Sequence, residues 1–145
     1  MKVSLDFSGL KEIQQQLQSL ASDSEINKTN KKIFQRAVDY SKPIMEQHMP
    51  RSENNARSGK KGYKPPGHAA DNIPTEATVK SGTVGWTLLG DAQNWFYMKF
   101  VEWGTENPEK KGRDFILNTT KESYDQWDKI ADQEYQKLLN EKLGD

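Results

Sequence analysis

From Ser22 to Pro50 the chain carries one long apolar stripe, and that stripe limits what can be built around it. Ile26, Ile33, Phe34, Ala37, Val38, Ile44, Met45 and Met49 fall mostly on one broad face. This is the spacing of an amphipathic helix that needs an apolar partner. Ser22 and Glu25 stand in capping-box spacing and mark its start. Pro43 lies within it and lacks a backbone donor, which predicts a kink over Tyr40–Pro43. Pro50 ends the element. A second long stripe, Thr120, Tyr124, Trp127, Ala131, Tyr135 and Leu138, predicts a last helix capped by Asp114. Leu10, Ile13, Leu17 and Leu20 predict a shorter first helix with Ser8 as its N-cap.

The remaining ordered segments read as strands. Val3, Leu5 and Phe7 alternate with polar residues, the period of a half-buried strand. Ala77 and Val79 precede Ser81-Gly82, and Val84, Trp86 and Leu88 alternate beyond it, which reads as a hairpin. Gly90-Asp91 makes the next turn. Strands in the middle and helices at both ends predict an α+β fold. The expected architecture is an antiparallel sheet of about four strands. It packs against the Ile26–Met49 helix and the helix after Asp114, in a single domain over residues 1–145.

Composition narrows the function classes. Lys plus Arg and Asp plus Glu are 21 each, so the formal net charge is zero, which argues against a nucleic-acid binder driven by bulk charge. Cysteine is absent, which removes disulfides, thiolate metal sites and thiol nucleophiles. The opening residues hold no apolar run of signal-peptide length, and no segment approaches the roughly 18 apolar residues of a membrane span. A cytoplasmic protein with no membrane contact is expected. The mean hydropathy of -0.98 is low for a chain of this size, so part of its stability is expected from partner chains.

Residues Arg51 to Gly67, "RSENNARSGKKGYKPPG", form a loop by composition. Arg51, Arg57, Lys60, Lys61 and Lys64 face Glu53 alone, a net +4. A segment of this kind is expected to be flexible. Contact with a phosphate backbone is the alternative. Tyr63 is its only aromatic, short of the stacking platform of a single-strand binder.

Candidate chemistry is thin. The sequence lacks a phosphate loop and a nucleophile elbow. His68 and Asp71 could share a helical face, but a zinc site needs more ligands than two separated histidines supply. His68 as a general base needs an oriented partner and a cleft. The favoured reading is a polar residue closing a loop. Glu102 sits among aromatics and could act as an acid of raised pKa. The favoured reading is a carboxylate satisfied by backbone or lysine at the end of an element. No catalytic centre, metal or cofactor is expected.

Trp95, Phe96, Tyr97, Met98, Phe100, Val101 and Trp103 crowd into one run, in a chain only 33% hydrophobic. The run has no clear period; a helix ending at Gly104 is preferred over a strand. Together with Pro108 and "GRDFI" this segment, "WFYMKFVEWGT", resembles the C-terminal signature of the tail-completion or head–tail joining (neck) proteins, minor tail components of long-tailed bacteriophages. The layout is similar as well. A short strand leads to "FSGLKEI", a long helix runs to Pro50, and a Val-Glu-aromatic-Gly-Thr segment (Val101 to Thr105) is followed by an aromatic-led final helix at Phe115. The chain departs from that family in "HAADNI", which stands where a Thr-Gly-x-Leu piece is usual, and in Asp114, which stands where proline is usual.

The resemblance implies a non-enzymatic virion protein assembled in the bacterial cytoplasm. It would form a ring, hexameric by analogy, between head connector and tail proteins, with DNA passing through the lumen. Interface candidates are then Trp95, Tyr97, Val101, Trp103, Gly104 and Thr105, with Trp103 first because aromatics are enriched at such contacts. Arg51, Arg57, Lys60, Lys61 and Lys64 would face DNA. The alternatives are a small DNA-binding module using residues 51–67 and, behind it, a small hydrolase using His68, Asp71 and Glu102.

Overall fold

The computed structural model describes the backbone of residues 2–4 and the whole of residues 10–53, 67–86, 95, 97–109 and 111–144. Its elements in order are β1 (Lys2–Ser4), α1 (Lys11–Leu20), α2 (Asp23–His48), a 3-10 turn (Ala69–Asn72), β2 (Thr75–Ala77), β3 (Gly82–Gly85), α3 (Met98–Trp103) and α4 (Phe115–Leu143). The fold is a mixture of helices and an antiparallel sheet, as the sequence predicts.

α2 and α4 form an antiparallel pair, and side chains tie them together along their length. From one end to the other the ties are Glu25 to Lys142, Asn30 to Tyr135 (2.6 Å), Arg36 to Glu134 (2.7 Å), Ser41 to Trp127 (2.7 Å) and His48 to Glu122 (2.7 Å). As one partner advances the other retreats. Between these ties Ile33, Ala37, Val38, Met45, Trp127, Ala131 and Tyr135 are buried. Each large side chain so buried contributes on the order of 1.5–3 kcal/mol. At about 1.5 Å per residue, the 26-residue α2 is about 39 Å long.

The start of α2 follows the sequence pattern. Glu25 N–H donates to Ser22 Oγ (3.2 Å), and Ser22 N–H donates to Glu25 Oε2 (2.8 Å). Pro43 does not interrupt the helix, which ends at His48. α1 packs Ile13 and Leu17 inward. Leu10 holds its N-cap position without a side-chain bond, while the expected cap, Ser8, is not among the described residues.

The buried face of α4 departs from the expected stripe. Thr119 and Ser123 point inward, whereas Tyr124 is 56% exposed and Thr120 half-buried. From Phe115 the buried positions run every fourth residue through Thr119, Ser123, Trp127, Ala131 and Tyr135. The small side chains lie one and two turns before Trp127, whose indole reaches Ser41, another small residue, on α2. A bulky Tyr124 on that face would hold the helices apart.

The sheet holds three strands among the described residues, in the order β1-β3-β2, not about four. Val3 pairs with Val84, and Glu76 with Thr83. The remaining strand candidate, the aromatic run, is helical over Met98–Trp103. The β2–β3 turn spans Thr78 to Ser81, so Val79 is in the turn and exposed. Thr78 Oγ1 accepts from Lys80 N–H (3.2 Å) and Ser81 N–H (3.1 Å), a side-chain turn that ends the strand before Val79. Leu5, Phe7 and Leu88, expected in strands, are not among the described residues. β3 is buried along its whole length and packs against α2.

Candidate functional site at the α3–α4 junction

Two backbone strands meet where α3 hands over to α4. α3 is one and a half turns long and ends on Gly104, whose φ of 82° suits glycine. After residues 105–109 the chain returns alongside itself. Gly104 and Lys111 form an isolated antiparallel bridge. Arg113 N–H donates to Val101 O (2.8 Å), and Asp114 N–H to Glu102 O (3.2 Å). A Cβ at Gly112 would stand 2.3 Å from Glu102 O, so only glycine fits there without movement.

Glu102 closes the junction. It is 4% exposed, and its carboxylate accepts from Ile116 N–H (2.9 Å) and Leu117 N–H (3.3 Å). These are orphan donors of the first turn of α4, which contains no acid of its own. The residue expected to cap α4, Asp114, holds the N-cap position but makes no side-chain cap bond, and its backbone is left-handed at φ 52°. The cap therefore comes from the preceding helix. A negative group at a helix N-terminus is also favoured by the helix dipole. Glu102 thus takes backbone partners, the favoured sequence reading. Both of its oxygens are engaged by the first turn of α4.

The aromatics divide between core and surface. Trp95 is 6% exposed and packs beside Trp86 (5.9 Å between centroids) and Tyr97 (6.0 Å). It is buried in the core of the chain. Tyr97 and Val101 are half-buried, Gly104 is half-buried within the bridge, and Thr105 is exposed. Phe100 (46% exposed) and Trp103 (67% exposed) share the outer face of α3, three residues apart. Lys99 Nζ lies 5.0 Å from the Phe100 ring centroid. Phe96 is not among the described residues.

A groove of about 920 Å³ runs beside α3, between Tyr97, Phe100 and Val101 on one side and Pro108, Lys111 and Arg113 on the other. A smaller depression of about 330 Å³ shares Tyr97, Val101 and Arg113 with it and continues past His68 and Arg51. The sequence reading missed Lys111, Gly112 and Arg113. The available signal was the glycine before a helix whose first turn lacks an acid.

The remaining predicted residues are scattered. Arg51 pairs with Asp71 at 2.6 Å, both exposed. The hydrogen bond from Arg51 holds the Asp71 carboxyl below its usual range. Arg51 is therefore already partnered, and Asp71 is engaged by arginine instead of a histidine. His68 sits at the N-cap of the 3-10 turn, where its carbonyl accepts from Asp71 N–H (3.1 Å) and Asn72 Nδ2 (2.8 Å). Glu102 is occupied by α4, so His68, Asp71 and Glu102 do not make a set of free catalytic groups. Among the described residues no three histidine, aspartate or glutamate side chains stand close enough to hold a metal ion. No described helix is long and apolar enough to cross a membrane. Arg57, Lys60, Lys61 and Lys64 are not among the described residues. Comparison of the chain with protein-family models, curated proteins and solved structures finds no match.

Proposed function

We propose that this chain is a structural protein of a bacteriophage or prophage virion, a ring-forming component of the head–tail junction through which DNA passes. The observation that carries the reading is Trp103. It is 67% exposed on α3, a helix too short to stand alone, and the Glu102 cap and the Gly112 contact fix that helix to α4. A chain that holds its most exposed tryptophan on so firmly anchored a support presents a surface for docking. The anchored segment is also the one that resembles the neck proteins: Val101 to Thr105 and Gly112 to Ile116 are the residues that bridge, cap and clash-limit the junction.

Subunits related by a closed rotation would meet through unlike surfaces, α3 with Trp103 on one side. Leu117 and Tyr124, exposed along the outer face of α4, give that contact room to extend. Head connector and tail proteins would take the two faces of the ring, and the basic residues 51–67 would line the lumen. The acids offered for hydrolysis are engaged in structural bonds, which weighs against the hydrolase alternative. The test is to replace Trp103 by alanine and follow both folding and incorporation. Unchanged circular dichroism with loss of the chain from assembled particles is expected. Normal incorporation of the alanine variant overturns the role of α3 in assembly.

A further inference from the structure

We infer that the groove beside α3 is a binding site for single-stranded nucleic acid, taken up without regard to base sequence. Among its described lining residues Glu109 is the only acid, against Lys111 and Arg113, while Arg51 on the adjoining depression is already paired with Asp71. Lys111 and Arg113 make no ion pair among the described residues, so their charge is open to an anion. Lys99, which is not among the lining residues, holds its Nζ 5.0 Å from the Phe100 ring centroid. Phosphates in a row fit this arrangement.

The other requirement is a platform for bases. Residues 51–67 supply none beyond Tyr63, but the fold brings Tyr97 and Phe100 to the place where that segment begins. Every base has a π-face, so stacking on them tolerates any sequence. A duplex keeps its base faces covered by neighbouring pairs, so the fit is to a single strand. Ser52 and Gly67 both line the smaller depression, so the chain between them leaves and rejoins at its rim. In sequence that stretch holds Arg57, Lys60, Lys61 and Lys64 and, over residues 54–66, no acid. The site itself consists of Tyr97, Phe100, Lys111 and Arg113. It stands independently of the ring reading, since Trp103 does not line the groove.

The test uses the full chain with short labelled oligothymidylate and oligouridylate, followed by fluorescence anisotropy at several salt concentrations. Binding is expected at low salt, weakening by about 0.7 log units in affinity per log unit of salt for each phosphate held. Binding of either oligomer supports the site, and the ratio of the two affinities identifies DNA or RNA as the source of the strand. Phe100→Ala is expected to weaken binding by about tenfold. Arg113→Gln is expected to weaken it and flatten the salt dependence. Lys129→Ala, on the exposed face of α4, serves as the charge control and is expected to bind normally. Phe100 and Arg113 are exposed, and circular dichroism would verify that both variants fold. The inference is overturned if neither oligomer binds, or if duplex DNA or polyglutamate binds as tightly. It is also overturned if Phe100→Ala and Arg113→Gln bind like the parent while serine at Arg57, Lys60, Lys61 and Lys64 abolishes binding.

Discussion

Replacing Glu102 by glutamine keeps the shape of the side chain and removes its charge. One amide oxygen can still accept from Ile116 or Leu117, but the amide nitrogen would face another N–H donor. A loss of about 1–3 kcal/mol is expected, read as a lower midpoint in urea. An unchanged midpoint would show that α4 does not need this cap. Gly112→Ala meets backbone at 2.3 Å, not the end of a flexible chain, so a loss of at least about 1–3 kcal/mol is expected by the same measurement. Ser123 gives the opposite sign. Its hydroxyl is buried without a hydrogen-bond partner among the described residues. Ser123→Ala removes that unsatisfied group and improves helix propensity, so it is expected to be neutral or to stabilise by up to about 1 kcal/mol. A clear loss of stability would mean the hydroxyl is satisfied in solution.

Elements show where sequence reading succeeds and where tertiary contacts override it. The start of α2 was legible because Ser22 and Glu25 satisfy each other locally, with no help from distant residues. The fit of α4 against α2 was not. Periodicity favours Tyr124 as the apolar residue, but the close approach near Ser41 and Trp127 selects Ser123 and Thr119 for their size. The cap of α4 was hidden for a similar reason. Asp114 has the right chemistry at the right place, yet its left-handed backbone accompanies a cap donated by Glu102 from α3. At the candidate site the sequence offered Trp103 as an interface candidate by its type and position, and the structure leaves it exposed. The uniform apolar run gave no period to separate it from Trp95, which belongs to the core.

The α2–α4 pair also carries a pH dependence. Lys142 and the Ser22 backbone N–H hold the Glu25 carboxyl at about 2, below its ordinary 4.5. A depressed acid stabilises the fold above its unfolded value, and that contribution fades as pH falls from about 4.5 towards 2. Glu25→Gln is therefore expected to show a smaller fall in melting temperature between pH 5 and pH 2 than the parent chain. An equal fall in both would remove Glu25 from the acid response.

Over the whole molecule, a ring multiplies whatever one subunit presents. The net +4 of residues 51–67 becomes a band of positive charge if every copy turns that segment to the lumen. Serine at Arg57, Lys60, Lys61 and Lys64 is then expected to yield particles that assemble but fail to retain or eject DNA, counted by microscopy and infectivity. Normal DNA retention and infectivity would remove the lumen role. The central claim is that α3 is an assembly surface of a head–tail ring, and electron cryomicroscopy of the junction in assembled particles tests it most directly. The account predicts density for a closed ring of this chain, with Trp103 buried against the neighbouring subunit. Particles that lack the chain, or a ring in which Trp103 faces solvent, would contradict it.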